Sequence, residues 1–100
     1  PVNRIYLIGG GAKSRLWSEI VCNVFDLPVN IPFPGDASFG SALLAGTGTG
    51  IFRNSAEAVE KCLKIDRRIE PDPALARFYR ERFAVYKKIH DALAPVYAQQ

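Results

Sequence analysis

Apolar residues recur along this chain with several different periods, and each period predicts a different element. Ile5-Tyr6-Leu7-Ile8 is a continuous apolar run stopped by Gly9-Gly10-Gly11. A short unbroken run of this kind suits a strand covered on both faces, as in a parallel sheet. Leu16, Trp17, Ile20, Val21 and Val24 then recur at helical spacing, with Arg15, Glu19 and Asn23 on the other side. That spacing predicts a helix capped by Ser14 and stopped by Pro28, with its apolar stripe, Trp17 included, turned to a core. Val29 and Ile31, between Pro28 and Pro32, predict a second short strand. Residues 4–31 therefore read as strand, helix, strand, a unit whose crossover is expected to be right-handed.

After a turn at Pro34-Gly35-Asp36, the chain from Ser38 reads as a helix rich in small residues, Gly40, Ser41, Ala42, Ala45 and Gly46 among them. An interior glycine costs a helix about 1 kcal/mol against alanine. Accepting that cost predicts close backbone approach, either to another element or to a ligand. The run from Gly46 to Gly50 should fray or end this helix. Asn54 and Glu57 have the spacing of a capping box for a third helix carrying Val59, Cys62 and Leu63. Residues 64–71 alternate loosely and suggest an extended segment. Asp72-Pro73 signals a final helix, striped by Leu75, Phe78, Tyr79, Phe83, Tyr86, Ile89 and Leu93. Two strands cannot hold a buried sheet by themselves. The pattern thus predicts part of a larger α/β domain, its sheet incomplete within this stretch.

Bulk properties narrow the picture without deciding it. One hundred residues allow one small domain at most. With 48% hydrophobic and 23% charged residues, the chain has the composition of a folded protein rather than a disordered one. A formal charge of +3 makes no case for nucleic acid. Arg67, Arg68 and the basic final helix are interleaved with Glu70, Asp72, Glu81 and Asp91, which reads as a solvated face. No apolar run is long enough for a membrane helix, and the first residues lack the pattern of a secretory signal. A cytoplasmic location is expected, with Cys22 and Cys62 as free, buried thiols. His90, the single histidine, falls in the final helix and suggests a surface or packing role.

Chemistry concentrates in Gly9-Gly10-Gly11-Ala12-Lys13-Ser14, between a predicted strand and helix. Glycines let backbone approach a ligand closely, and a helix start presents unpaired N–H groups with a partial positive charge. Both favour phosphate. A Walker loop would require glycine at the positions of Leu7 and Ala12, and a dinucleotide fingerprint would require glycine in place of Ser14. Neither motif is present. The glycines alone leave a nucleotide site and a tight structural turn equally open.

The segment Ile-Tyr-Leu-Ile-Gly-Gly-Gly-Ala-Lys-Ser-Arg-Leu-Trp, then Asp-Leu-Pro-Val, then Phe-Gly-Ser-Ala-Leu-Leu-Ala-Gly resembles the C-terminal domain of FGGY carbohydrate kinases, with the xylulokinase-like branch as nearest match. The likeness runs on through Glu70-Pro71-Asp72-Pro73 and the final helix, so it places residues 1–100 within that domain. It implies a ribonuclease-H-like (actin-like ATPase) fold and an ATP-dependent kinase acting, with Mg²⁺, on a hydroxyl of a small sugar such as a pentulose or polyol. It places Gly10, Gly11 and Ala12 against the phosphates and ribose. Ser14 joins that site, with helix capping as its simpler role. Arg15 stands where related kinases often have an asparagine near the adenine, a departure that an arginine stacked on the base would accommodate. The general base and the sugar contacts are implied to lie in an N-terminal part of the same kinase. No catalytic residue and no metal ligand is expected in this chain, which should be inactive alone. A non-catalytic interaction module, whose exposed apolar surface would drive self-association, is the alternative.

Overall fold

A computed structural model describes residues 1–99. Strand β1 (Ile5–Tyr6) leads into a single 3-10 turn (Gly10–Lys13), helix α1 (Arg15–Phe25) and strand β2 (Val29–Phe33). Helices α2 (Ala37–Gly48) and α3 (Ser55–Cys62), strand β3 (Lys64–Ile69) and helix α4 (Pro73–Tyr97) complete the chain. The sheet has three strands in the order β1-β2-β3. β1 runs parallel to β2, as the strand–helix–strand reading requires, and β3 pairs antiparallel with β2. The expected extended segment at 64–71 is thus the third strand, making the sheet mixed. Pro32 sits where the β2–β3 register shifts, a place where a missing N–H is tolerated.

Burial is concentrated in the middle of this sheet. Ala12, Cys22, Val29 and Ile31 form the core, with Ile5, Leu7, Val21 and Ile69 packed against it. Two expectations need correcting. The α1 stripe of Leu16, Trp17 and Val24 is not buried: Leu16 is 69% and Trp17 53% exposed. The side of α1 turned inward carries Ser18, Cys22 and Asn23 instead. A three-stranded sheet is too narrow to cover both, and the line that meets β2 and β3 is the small-residue one. Similarly, the first apolar run is not covered on both faces, since Tyr6 and Ile8 are about half exposed.

Asn23, read as an outward polar residue, ties elements together. Its amide donates to the Glu19 carbonyl at 2.9 Å, and its side-chain oxygen accepts from the Asp72 backbone N–H at 2.7 Å. The start of α4 is thereby docked on α1. The capping signals at Ser14, Asn54 and Asp72 were read correctly, and Asp36, read only as a turn residue, is a fourth cap; each accepts from a backbone N–H in the first turn that follows. The box at Asn54 is altered, because Glu57 accepts from the Arg53 N–H rather than from Asn54. α1 ends before Pro28, with Asp26 in the left-handed region at φ 52° and its side chain paired to Arg80 at 3.1 Å.

Among the interior glycines of α2, Gly46 makes the expected close approach. A β-carbon there would lie 2.8 Å from the Phe52 ring, so the connection to α3 folds back tightly on α2. Gly40 and Gly48 face open space. The 25-residue α4 extends away from the sheet, with Ala76 its only buried residue among those described. The radius of gyration is accordingly 18.2 Å, against about 13 Å for a compact chain of this length. No described helix is long and apolar enough to cross a membrane.

Candidate functional site

Where β1 gives way to α1, the chain must turn sharply, and Gly9 makes this possible. Its φ of 88° and ψ of −171° lie in a region that essentially only glycine occupies. The following 3-10 turn bonds Ala12 N–H to the Gly9 carbonyl and Ser14 N–H to the Gly11 carbonyl, each at 3.1 Å. Gly10 and Gly11, first in the turn, have amides with no hydrogen-bond partner among the described residues. A β-carbon on Gly10 would meet nothing within 4 Å. One on Gly11 would stand 3.0 Å from the Trp17 ring, so Trp17 lies against the turn rather than in the core.

A cleft of about 450 Å³ opens beside this turn. Gly9, Gly10, Ala12 and Lys13 form one wall, the Phe33–Asp36 loop another, and Asp66 and Arg67 of β3 the third. Gly9 N–H donates to the Gly35 carbonyl at 2.9 Å, which stitches the two loops together. Gly35 allows no side chain, because a β-carbon would fall 2.7 Å from the Pro32 carbonyl oxygen. Asp36 is occupied in capping α2 through Phe39 N–H at 2.9 Å.

The expected site residues divide in this geometry. Gly10 and Ala12 line the cleft, and Gly11 presents its free amide in the same turn. Ala12 itself is buried, with its N–H bonded to Gly9 and its carbonyl accepting from Arg67 Nη2 at 2.9 Å and Ser18 Oγ at 3.4 Å. Ser14 is engaged as a cap, accepting from Trp17 N–H at 3.2 Å. Arg15 lies off the cleft, paired with Glu19 at 2.9 Å, in an adjoining hollow with Arg67, Arg68 and Glu70. Arg67 was read as part of a solvated basic face, yet it turns inward and borders both hollows. A signal for this existed. Arg67 alternates with Ile69, which packs on the core, so strand periodicity puts both on one face. Arg68, by contrast, pairs with Glu70 at 2.7 Å on the outside.

Titration behaviour is perturbed away from the cleft. Burial, the largest cause, pushes the Cys22 thiol up from its ordinary value, and its sulfur contacts the Leu27 and Ile69 carbonyls at 3.2 and 3.3 Å. Cys22 and Cys62 are both free. Lys61 and the Arg53 N–H lower the Glu57 carboxyl to about 2. Among the described residues, no three carboxylate, thiol or imidazole groups converge in a way that could hold a metal ion.

A parallel strand pair, a glycine turn at the strand-to-helix corner and a cleft beside it define an α/β corner of the kind that offers backbone amides to an anion. Residues 1–49 match the C-terminal domain of the FGGY family of carbohydrate kinases. Autoinducer-2 kinase of Escherichia coli K12 is 40% identical over 93 residues, which cover 92% of this chain and 16% of that protein. Its counterpart from Salmonella paratyphi B is 38% identical over the same length. A ligand-bound xylulose kinase from Lactobacillus acidophilus superposes with a TM-score of 0.83 at 25% identity, over 96% of this chain and 20% of that one. Gluconate kinase from the same organism gives 0.82. The chain belongs to the FGGY family of carbohydrate kinases, in its C-terminal domain, and spans about one sixth of the length of these curated relatives.

Proposed function

We propose that the protein carrying this chain is an ATP-dependent kinase for a small sugar such as a pentulose or polyol, and that residues 1–100 form its nucleotide side. The observation that carries this reading is the pair of partnerless amides at Gly10 and Gly11 beside an open cleft. In this reading they donate to phosphate oxygens, and Lys13 at the cleft wall adds positive charge. Ala12 borders the ribose and anchors the turn, Ser14 fixes the start of α1, and Arg15 offers its guanidinium plane to the base from the adjoining hollow. Mg²⁺, held by the phosphates and by the rest of the protein, would shield their charge. The aspartate that takes the hydroxyl proton and the contacts to the sugar belong to an N-terminal part of the same kinase.

The relatives support this division. Their names specify autoinducer-2, xylulose and gluconate kinases, yet this segment is similar to all of them. A part shared by kinases named for different acceptors suits the common donor better than any one acceptor. A location in the cytoplasm, where ATP is supplied, fits the same reading.

Magnitudes argue that the segment is inert alone. One helix start contributes about 0.3–1 kcal/mol toward an anion, whereas micromolar affinity needs about 8 kcal/mol. A coupled phosphorylation assay of the full-length protein over pentuloses and polyols should therefore find activity, while calorimetry of residues 1–100 finds no tight ATP binding. An inactive full-length protein, or submicromolar ATP binding by this chain alone, would sink the assignment. The exposed apolar face of α4 favours a second reading, a non-catalytic module that self-associates. Oligomers of a full-length protein that lacks kinase activity would support it.

A further inference from the structure

We infer that Arg67 is a positioning residue for the nucleotide site, holding the glycine turn, with its free Gly10 and Gly11 amides, against the sheet beside the cleft; the inference rests on the reading of that cleft given above. A turn rich in glycine has wide backbone freedom, so a fixed direction for its amides must be imposed by ties from outside. Three such ties exist. Gly9 N–H reaches the Gly35 carbonyl at 2.9 Å at the entrance, and Ser14 caps α1 at the exit. Arg67 holds the middle, with Nη2 donating to the Ala12 carbonyl at 2.9 Å. Ser18 Oγ reaches the same carbonyl at a longer 3.4 Å and is shared with the Ser14 carbonyl at 2.8 Å.

The Arg67 bond differs from the other two in what it connects. It links the turn to β3, opposite Ile31 on β2, where the backbone is fixed by sheet pairing. Its donor is charged, which makes such a bond roughly twice as strong as a neutral one. The acceptor lies in the peptide unit after Ala12, so the bond fixes the far end of the turn that carries the two free amides. Removing the guanidinium would leave the sheet paired and α1 capped, with only the long Ser18 contact holding the middle of the turn.

The test uses the full-length protein. Arg67→Ala should raise KM for ATP about tenfold or more, leave KM for the sugar unchanged and alter kcat much less. Arg67→Lys should recover part of the loss, since an ammonium retains one donor. Arg53→Ala, which loses an exposed pair with Glu57 away from both hollows, should leave both KM values unchanged. Equal ATP KM values for Arg67→Ala and wild type, or a parallel rise for ATP and sugar, would overturn the inference. A wild-type protein that neither binds nor consumes ATP refutes the proposed function instead. The inference keeps its own readout in that event: amide exchange at Gly10 and Gly11 faster in Arg67→Ala than in wild type or Arg53→Ala. Unchanged exchange would contradict it.

Discussion

Where the glycine turn and α1 meet the sheet, a small apolar core closes, with Cys22 and Val29 fully buried and Ala12 and Ile31 nearly so. Along α4 a stripe of comparable apolarity stays open: Phe78, Phe83, Tyr86 and Ile89 are each about half exposed or more. The first region has a sheet to close against, and a carbonyl, an amide or a guanidinium at each joint. The second is tied to α1 near its start, at Asn23 with Asp72 and at Asp26 with Arg80, and then projects. An apolar stripe states that a helix wants a partner. Whether that partner lies within reach depends on strands elsewhere.

Substitutions can break or sharpen this contrast, beginning with the tied region. Gly35→Ala forces a β-carbon onto the Pro32 carbonyl, a backbone atom that cannot swing aside. It should cost about 3 kcal/mol in urea unfolding, and a cost near zero would show that the two loops are not tightly joined. Asn23→Ala strips the Asp72 N–H of its partner and undocks α4, for about 1–2 kcal/mol. Phe83→Ala in the same chain should change stability by no more than about 0.5 kcal/mol. A loss of several kcal/mol there would mean that α4 is packed after all, and the contrast would collapse.

The smallest effect is electrostatic and lies in α3. The folded-state pKa of Glu57 is lowered from 4.5 to about 2, chiefly by its bond to Lys61 and then by the Arg53 N–H. A lowered value means that its contribution is fully present above about pH 4.5 and is lost as pH falls toward 2. Its partners Lys61 and Arg53 are exposed, so the step should be slight. Circular dichroism across that window should show a small loss of helix in wild type and none in Glu57→Gln. Identical curves would remove the pair from the account.

Local chemistry was legible in the sequence wherever it depends on neighbouring residues. The caps at Ser14, Asn54 and Asp72, the glycine turn and the Asp72-Pro73 start follow from residues within a few positions of one another, whereas Asp36 signalled a turn and not a cap. Long-range decisions were not. Leu16 and Trp17 form a better apolar stripe than Ser18 and Cys22, yet the sheet reaches only the latter. Asn23 reads as a surface residue until the Asp72 amide, 49 residues away, supplies its partner. The cleft shows the same division. Its glycine wall was visible, whereas Gly35 signalled only a turn, and Arg67 looked like one charge among several until β3 paired with β2.

Gly10→Ala in the full-length protein tests the central claim most directly. Gly10 avoids the left-handed region and has open space where a methyl would go, so the fold should accept alanine with its thermal stability unchanged. If phosphate oxygens sit against that backbone, KM for ATP should rise about tenfold while the sugar KM stays fixed. An unaltered KM for ATP, with the variant folded and active, would contradict the account.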